Sequence, residues 1–166
     1  MPLSRKRIII AIAAAFMIAA AMLAFILLQF SSPCLVLQNE KGRVYASIPF
    51  AEKQEFAVSF IHSVNKTEVR EGYYIDNNGS IILDYCIYYG FGAGVATEVP
   101  EGGSLETLPD GSMLMSGFEM PIQHLSYVVG TVSDHILYIN GEELSLSTLC
   151  GRNNTVRFSV KNKFIL

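Results

Sequence analysis

Charged residues are missing from one long stretch near the start of this 166-residue chain. Between Ile8 and Phe30 there is no Asp, Glu, Lys or Arg, and Gln29 is the only strongly polar side chain. A helix of that length is about 34 Å long, which is enough to cross the ~30 Å hydrocarbon core of a bilayer. The sequence therefore predicts a single transmembrane anchor at residues 8–30.

The basic residues around this stretch predict its orientation. Arg5, Lys6 and Arg7 stand directly before it, and no further basic residue occurs until Lys41. The positive-inside bias predicts a cytoplasmic tail at residues 1–7 and places the remaining chain on the outer side of the cell membrane. A cleaved signal peptide is the alternative, but its apolar region is usually only about 7–15 residues long. We therefore expect an uncleaved anchor.

Cysteine and histidine are scarce, which limits the possible chemistry. The three cysteines, Cys34, Cys86 and Cys150, include no C-x-x-C pair and allow at most one internal disulfide. We expect Cys86 and Cys150 to be small core residues, because free cysteine is commonly buried. The three histidines have no ligand partner at metal-site spacing, and there is no G-x-S-x-G motif. The sequence therefore predicts no metal, no cofactor and no catalytic residue.

Basic residues are outnumbered beyond the predicted anchor. Nine of the 12 Lys and Arg residues and all 15 Asp and Glu residues follow it, so the outer part has a net charge of about −6. Nucleic acids bind surfaces rich in Lys and Arg. The acidic balance argues against nucleic acid as a partner.

After the anchor, apolar and polar side chains mostly alternate with a period of two, which is typical of half-buried strands. Residues 31–39 are expected to be a short tether, and residues 40–166 one extracytoplasmic domain. Many short strands separated by turn residues predict an all-β fold, either an antiparallel β-sandwich or a partly open barrel. The expected strands are Val44–Pro49, Glu55–Val64, Val69–Ile75, Ile81–Tyr89, Ser112–Ser116, Leu125–Val129, His135–Ile139, Glu142–Leu146 and Thr155–Val160.

Glycine and asparagine mark the turns between these strands. Asn140-Gly141 suits a two-residue hairpin turn of type I′, in which both residues have positive φ. The sequence Asn77-Asn78-Gly79 suits a three-residue loop with its glycine in the left-handed region. The longest irregular stretch, Gly90–Gly103, is rich in glycine and is the expected functional loop.

The hairpin from Phe56 to Ile75 carries the most specific prediction. A four-residue loop, Asn65–Glu68, lets apolar side chains of the two strands meet on one face, which is how register is usually selected. The same register puts His62 directly opposite Glu71. The predicted apolar pairs are Val64–Val69, Phe60–Tyr73 and Val58–Ile75.

The next strand extends this polar group. With the three-residue loop, Glu71 also faces Tyr85, whereas a two-residue turn at Asn78-Gly79 would put Asp84 and Cys86 on that face. Polar side chains on an apolar face must bond to each other or line a cavity. His62, Glu71 and Tyr85 are therefore predicted to be either a buried structural group or the polar floor of a ligand cleft.

A hydrolytic triad at this position is disfavoured. Ser63 follows His62 on the predicted strand, and neighbouring strand residues point to opposite faces. The Ser63 hydroxyl could not pass its proton to the imidazole from there.

One family resemblance follows from these residues. The segment FAVSFIHSVNKTEVREGY from Phe56 to Tyr73 is followed by GFGAG, E-G-G and D-G, the last at Asp110-Gly111. This pattern resembles the family called domain of unknown function eighteen-fifty over roughly residues 35–160. After the GAG, the chain has Val95-Ala96 where that family often has Leu-Pro. The motif positions are His62, Ser63, Lys66, Glu71, Gly92 and Gly94.

The resemblance implies a role but no chemistry. Such proteins have a short anchor or signal and one small domain without established activity, and they are typically encoded beside TAXI-type TRAP transporters. We therefore expect a non-enzymatic, membrane-anchored accessory or binding protein. Its expected partner is a TRAP permease or its solute-binding protein, contacted through the Gly90–Gly103 loop. The alternative is an extracytoplasmic ligand sensor, or an enzyme with a cleft at His62 and Glu71.

Overall fold

The computed structural model describes residues 5–29, 31–50, 55–90 and 98–164. Helix α1 lies in one compact unit, and residues 34–161 form a second unit that is almost entirely β. The elements are α1 Arg5–Gln29, β1 Ser31–Gln38, β2 Val44–Pro49, β3 Glu55–Ile61, β4 Glu68–Ile75, β5 Ile81–Tyr88, β6 Ser104–Thr107, β7 Met113–Pro121, β8 Ser126–Val128, β9 His135–Ile139, β10 Glu142–Ser145, α2 Leu146–Cys150 and β11 Thr155–Phe164.

The strands form two antiparallel sheets. The smaller sheet has the order β2-β1-β11-β8, and the larger has the order β10-β9-β3-β4-β5-β7-β6. Neither sheet closes into a barrel within the described residues. Of the two predicted architectures, the structure therefore has the sandwich-like one.

The core lies between the inner faces of the two sheets. Leu35 and Leu37 of β1 and Val58 and Leu137 of the larger sheet are all 0% exposed and belong to one buried cluster. Burial of one such side chain stabilises the fold by about 1.5–3 kcal/mol. The alternating pattern predicted this arrangement for β3 and β9, whose inward residues are Phe56, Val58, Leu137 and Ile139.

The predicted tether at residues 31–39 is wrong. Its residues form β1, which pairs with β2 from Cys34 opposite Pro49 onwards. Four consecutive residues, Cys34 to Leu37, are at most 2% exposed. A strand in the middle of a sheet can be buried on both faces, and its sequence is then a continuous apolar run without alternation. The boundary of the β domain therefore precedes residue 40.

Two of the predicted turns are confirmed. Asn140 and Gly141 have φ values of 55° and 77°, and Gly79 has a φ of 80°. Strand β10 ends one residue early because Ser145 caps the short helix α2, with its side chain accepting a hydrogen bond from the Thr148 amide.

Helix α1 covers 25 residues of the N-terminal segment. Within the described residues, no helix is both long enough and apolar enough to span a membrane. The predicted anchor also includes Phe30, which lies outside the described residues.

Candidate functional site

The predicted register of the β3–β4 hairpin is wrong by four residues. The structure pairs Val58 with Glu71 and Phe60 with Val69, so Glu71 does not face His62. Strand β3 ends at Ile61, and His62 lies four residues beyond Val58, a distance of about 13 Å along a strand. The shift is even, so the same residues remain on the apolar face. Hydrophobic pattern alone therefore could not distinguish the two registers.

The connection is a six-residue turn, residues 62–67, rather than the predicted four-residue loop. The His62 amide donates to the Thr67 carbonyl at 2.8 Å, and the Lys66 amide donates to the His62 carbonyl at 3.0 Å. The His62 ring also takes part, because its Nδ1 accepts from the amides of Val64 and Asn65 at 3.3 and 3.4 Å. His62 therefore takes part in this turn through both its backbone and its ring.

The other motif positions of the turn face outward. Ser63 and Lys66 are exposed, and Val64 is 65% exposed. Lys66 has a φ of 57°, in the left-handed region that non-glycine residues seldom adopt. Gly92 and Gly94 lie outside the described residues. The structure thus separates His62, Ser63 and Lys66 from Glu71.

Tyr85 is also separated from Glu71, by a bulge in β5. Ile75 pairs with Ile81 and Tyr73 with Leu83, as the predicted three-residue loop requires, but the register then shifts. Gly72 faces Tyr85, and Glu71 faces Cys86. The Tyr85 ring lies against Gly72, where a Cβ atom would be 2.1 Å from the ring. The extra residue turns Tyr85 to the outer face of the sheet.

The partners of Glu71 are two tyrosines. Tyr73 Oη donates to Glu71 Oε2 at 2.9 Å, and Tyr127 Oη donates to the same oxygen at 2.5 Å. The two hydroxyl oxygens are 2.7 Å apart. Two hydroxyl protons can serve only two of these three contacts at one time. Tyr127 belongs to the smaller sheet, so this cluster links the two sheets through polar atoms.

Both tyrosine hydroxyls are held in their protonated form. Burial, together with the Glu71 carboxylate, raises the pKa of Tyr73 far above its ordinary value. Burial, the Glu71 carboxylate and Tyr73 raise the pKa of Tyr127 in the same direction. Each hydroxyl therefore remains a hydrogen-bond donor at physiological pH.

Aromatic rings pack against Tyr127 of this cluster. Phe60 stacks on His135 with ring centres 5.3 Å apart, and Tyr127 lies 6.0 Å from Phe60 and 5.6 Å from His135. His135 Nδ1 accepts from the Gly130 amide at 3.3 Å. Burial lowers the pKa of His135, although the neighbouring Asp134 carboxylate opposes the shift. The imidazole is therefore favoured in its neutral form.

The thiol beside Glu71 is disfavoured as a nucleophile. Cys86 is opposite Glu71 on β5, is half-buried and packs against the core. Burial and the Glu71 carboxylate raise the pKa of Cys86 to about 12. Because the thiolate is the nucleophile, a thiol with this pKa has little nucleophilic character at neutral pH. Within the described residues, no group of three His, Cys, Asp or Glu side chains could hold a metal ion.

Sequence reasoning missed Tyr127 and His135. Tyr127 is 56 residues from Glu71 along the chain, and it lies on a strand of only three residues in the other sheet. No local pattern links such distant positions. His135 was visible as the first residue of a predicted strand, and the pairing of Phe60 with His135 would have identified it.

A second polar group lies at the turn between β6 and β7. Tyr89 Oη donates to Asp110 Oδ2 at 2.7 Å, and Ser112 Oγ donates to Asp110 Oδ1 at 2.6 Å. The hydrogen bonds from Ser112 and Tyr89 lower the pKa of Asp110 to about 2. The hydrogen bond from Tyr89, which follows directly after β5, therefore links that end of the strand to the Asp110-Gly111 turn.

The chain matches the model of a known family. The model of the family described as Domain of unknown function (DUF1850) matches residues 56–146, which include the His62 turn and Glu71. No curated protein and no solved structure matches the chain. The matched segment covers more than half of the sequence and agrees with the residues that carry the resemblance. The chain therefore belongs to the DUF1850 family.

Proposed function

We propose that this protein is a non-enzymatic, membrane-anchored accessory or binding protein on the outer side of the cell membrane. Its proposed partner is a TAXI-type TRAP transporter, through the permease or the solute-binding protein. The observation that carries the proposal is the exposed turn at residues 62–67, which belongs to the matched family segment. The link to the transporter comes from the family resemblance.

The turn has the properties of a contact surface. Its backbone is held by hydrogen bonds within the turn and by the His62 ring, so its conformation does not depend on a partner. It presents two exposed side chains, the apolar Val64 and the charged Lys66. Binding residues are commonly found on loops that a rigid scaffold positions. A preorganised turn also loses little conformational entropy on binding.

The anchor is part of the proposal. It is supported by the absence of charge from Ile8 to Phe30 and by the preceding residues Arg5 to Arg7. An anchor concentrates the β domain near membrane partners, so that weak contacts suffice. Protease added to protoplasts should remove the β domain and leave the N-terminus protected. A mature N-terminus near Ser31 or Cys34 would show cleavage instead.

The partner is tested by affinity purification of the tagged full chain from native membranes in mild detergent. Val64→Asp should reduce recovery of the transporter at least about tenfold, the loss that corresponds to 1.4 kcal/mol of contact energy. Val128→Asp is the matched control, because Val128 is 61% exposed on β8 of the other sheet. It should leave recovery unchanged.

Two results would defeat the proposal. One is a wild-type protein that recovers neither permease nor binding protein, while deletion of the gene leaves solute uptake unchanged. The other is an equal loss in both variants, which would show that the turn is not the contact surface.

A further inference from the structure

Glu71 has one carboxylate oxygen that nothing in the described structure engages. Both tyrosine hydroxyls donate to Oε2, and no described residue donates to Oε1. Glu71 is half-buried, so part of this residue reaches solvent.

The charge of Glu71 also has no cationic partner among the described residues. The ion pairs found there are Arg70 with Glu68 and Arg157 with Glu40. Arg70 and Glu68 are even-numbered residues of β4, so they lie on the opposite face from Glu71. A half-buried carboxylate without a counter-ion is costly, and a cation placed at Oε1 would offset that cost.

The surroundings of Glu71 suit an organic cation. Three half-buried aromatic rings have their centres within 6.0 Å of one another: those of Phe60, Tyr127 and His135. The hydroxyl of Tyr127 also donates a hydrogen bond to Glu71. The faces of aromatic rings attract ammonium groups, and a carboxylate accepts charge-assisted hydrogen bonds from them. An anionic ligand would be repelled by the same carboxylate.

From this geometry we propose that Glu71, with the rings of Phe60, Tyr127 and His135, binds the primary ammonium group of an organic amine. Glu71 Oε1 accepts a hydrogen bond from the ammonium, and Tyr73 and Tyr127 position the carboxylate by holding Oε2. The rings contact the methylene groups next to the nitrogen. This site goes beyond the accessory role and does not depend on a transporter partner.

The test uses the full chain in a maltoside detergent with n-butylammonium chloride as the probe. Amide chemical shifts report binding, and 1-butanol is the neutral control ligand. The wild type should bind the ammonium with a dissociation constant of about 1 mM or below, and should bind 1-butanol at least about tenfold more weakly. The largest shifts should be those of the Glu71, Cys86 and Tyr127 amides.

Two substitutions in β4 test whether binding depends on the charge of Glu71 in particular or on any carboxylate of this strand. Glu71→Gln keeps a side-chain oxygen for the tyrosines and removes the charge, so affinity should fall at least about tenfold. Glu68→Gln removes a carboxylate from the opposite face of β4 and should bind as the wild type does. If Glu71→Gln does not fold, Phe60→Leu replaces it and should weaken binding several-fold through loss of the ring. The proposal is overturned if the wild type shows no saturation up to about 50 mM, if 1-butanol binds as well, or if the Glu71 and Glu68 variants behave alike.

Discussion

Replacing Tyr127 by Phe tests whether the polar cluster holds the two sheets together. The substitution keeps the ring and removes one hydroxyl, which donates to Glu71 Oε2 at 2.5 Å and lies 2.7 Å from Tyr73 Oη. A hydrogen bond to a charged group contributes about 1.5–3 kcal/mol net, and one between neutral groups about 0.5–1.5 kcal/mol. Tyr73 still donates to the carboxylate afterwards, so no buried group is left without a partner. We therefore expect a loss of about 2 kcal/mol in the free energy of unfolding.

Urea unfolding of the full chain in detergent measures this loss. The protein has no tryptophan, so tyrosine fluorescence or near-ultraviolet circular dichroism must report the transition. Tyr138→Phe is the matched control. The Arg70 guanidinium lies over the face of the Tyr138 ring, and the substitution keeps that ring. It removes a hydroxyl for which the described residues provide no hydrogen-bond partner, and it should change stability by less than about 0.5 kcal/mol.

A double-mutant cycle identifies the partner. Glu71→Gln alone converts two charge-assisted hydrogen bonds into neutral ones and should cost about 1 kcal/mol. Tyr127→Phe in the Glu71→Gln background should then cost less than in the wild type, because the two residues interact directly. Additive losses, or a cost for Tyr127→Phe no larger than for Tyr138→Phe, would refute the role of the cluster in joining the sheets.

Three further predictions concern single residues. Gly72→Ala should destabilise the fold by about 1–3 kcal/mol, because the new Cβ would be 2.1 Å from the Tyr85 ring. In urea unfolding, this loss of stability should be smaller when Tyr85 is also replaced by Ala. A loss that is the same in both backgrounds would contradict the contact. The pKa of Cys86 is raised to about 12, so only about one molecule in ten thousand should carry the Cys86 thiolate at pH ~8. Alkylation of Cys86 by iodoacetamide in the folded protein, followed by mass spectrometry, should therefore be slow. Rapid alkylation would contradict its burial. The pKa of Asp110 is lowered to about 2, so its hydrogen bonds contribute stability above the unfolded pKa of about 3.9, and this contribution is lost as pH falls towards 2. The stability difference between wild type and Asp110→Asn should therefore narrow between pH ~4 and ~2, and a difference that is constant with pH would exclude this linkage.

Local signals predicted several of the strands and two of the turns. Strands β2 and β9 have the predicted bounds, and β4 and β5 differ from the prediction by one residue at one end. These elements depend on a period of two and on residues that tolerate positive φ, which are properties of short segments. The same rules failed for β1, because a central strand buried on both faces has no alternation to recognise.

The polar site could be predicted only in part. The sequence placed Glu71 on the inner face of β4, and the structure agrees. The observed register occurs together with the six-residue turn, in which the His62 ring accepts hydrogen bonds from two backbone amides. A four-residue shift leaves every apolar residue on the same face, so hydrophobic burial does not penalise it.

The sequence by itself determined that this is a β-rich chain of the DUF1850 family, with apolar inner faces and glycine-dependent turns. These features arise from side-chain alternation and backbone φ preferences, which act over a few residues. The partners of Glu71 were decided only by the tertiary structure. Tyr127 reaches Glu71 because the smaller sheet packs over the larger one, and the bulge in β5 turns Tyr85 away. Both depend on contacts between residues distant in the chain or on different strands, for which a single sequence has no local signal.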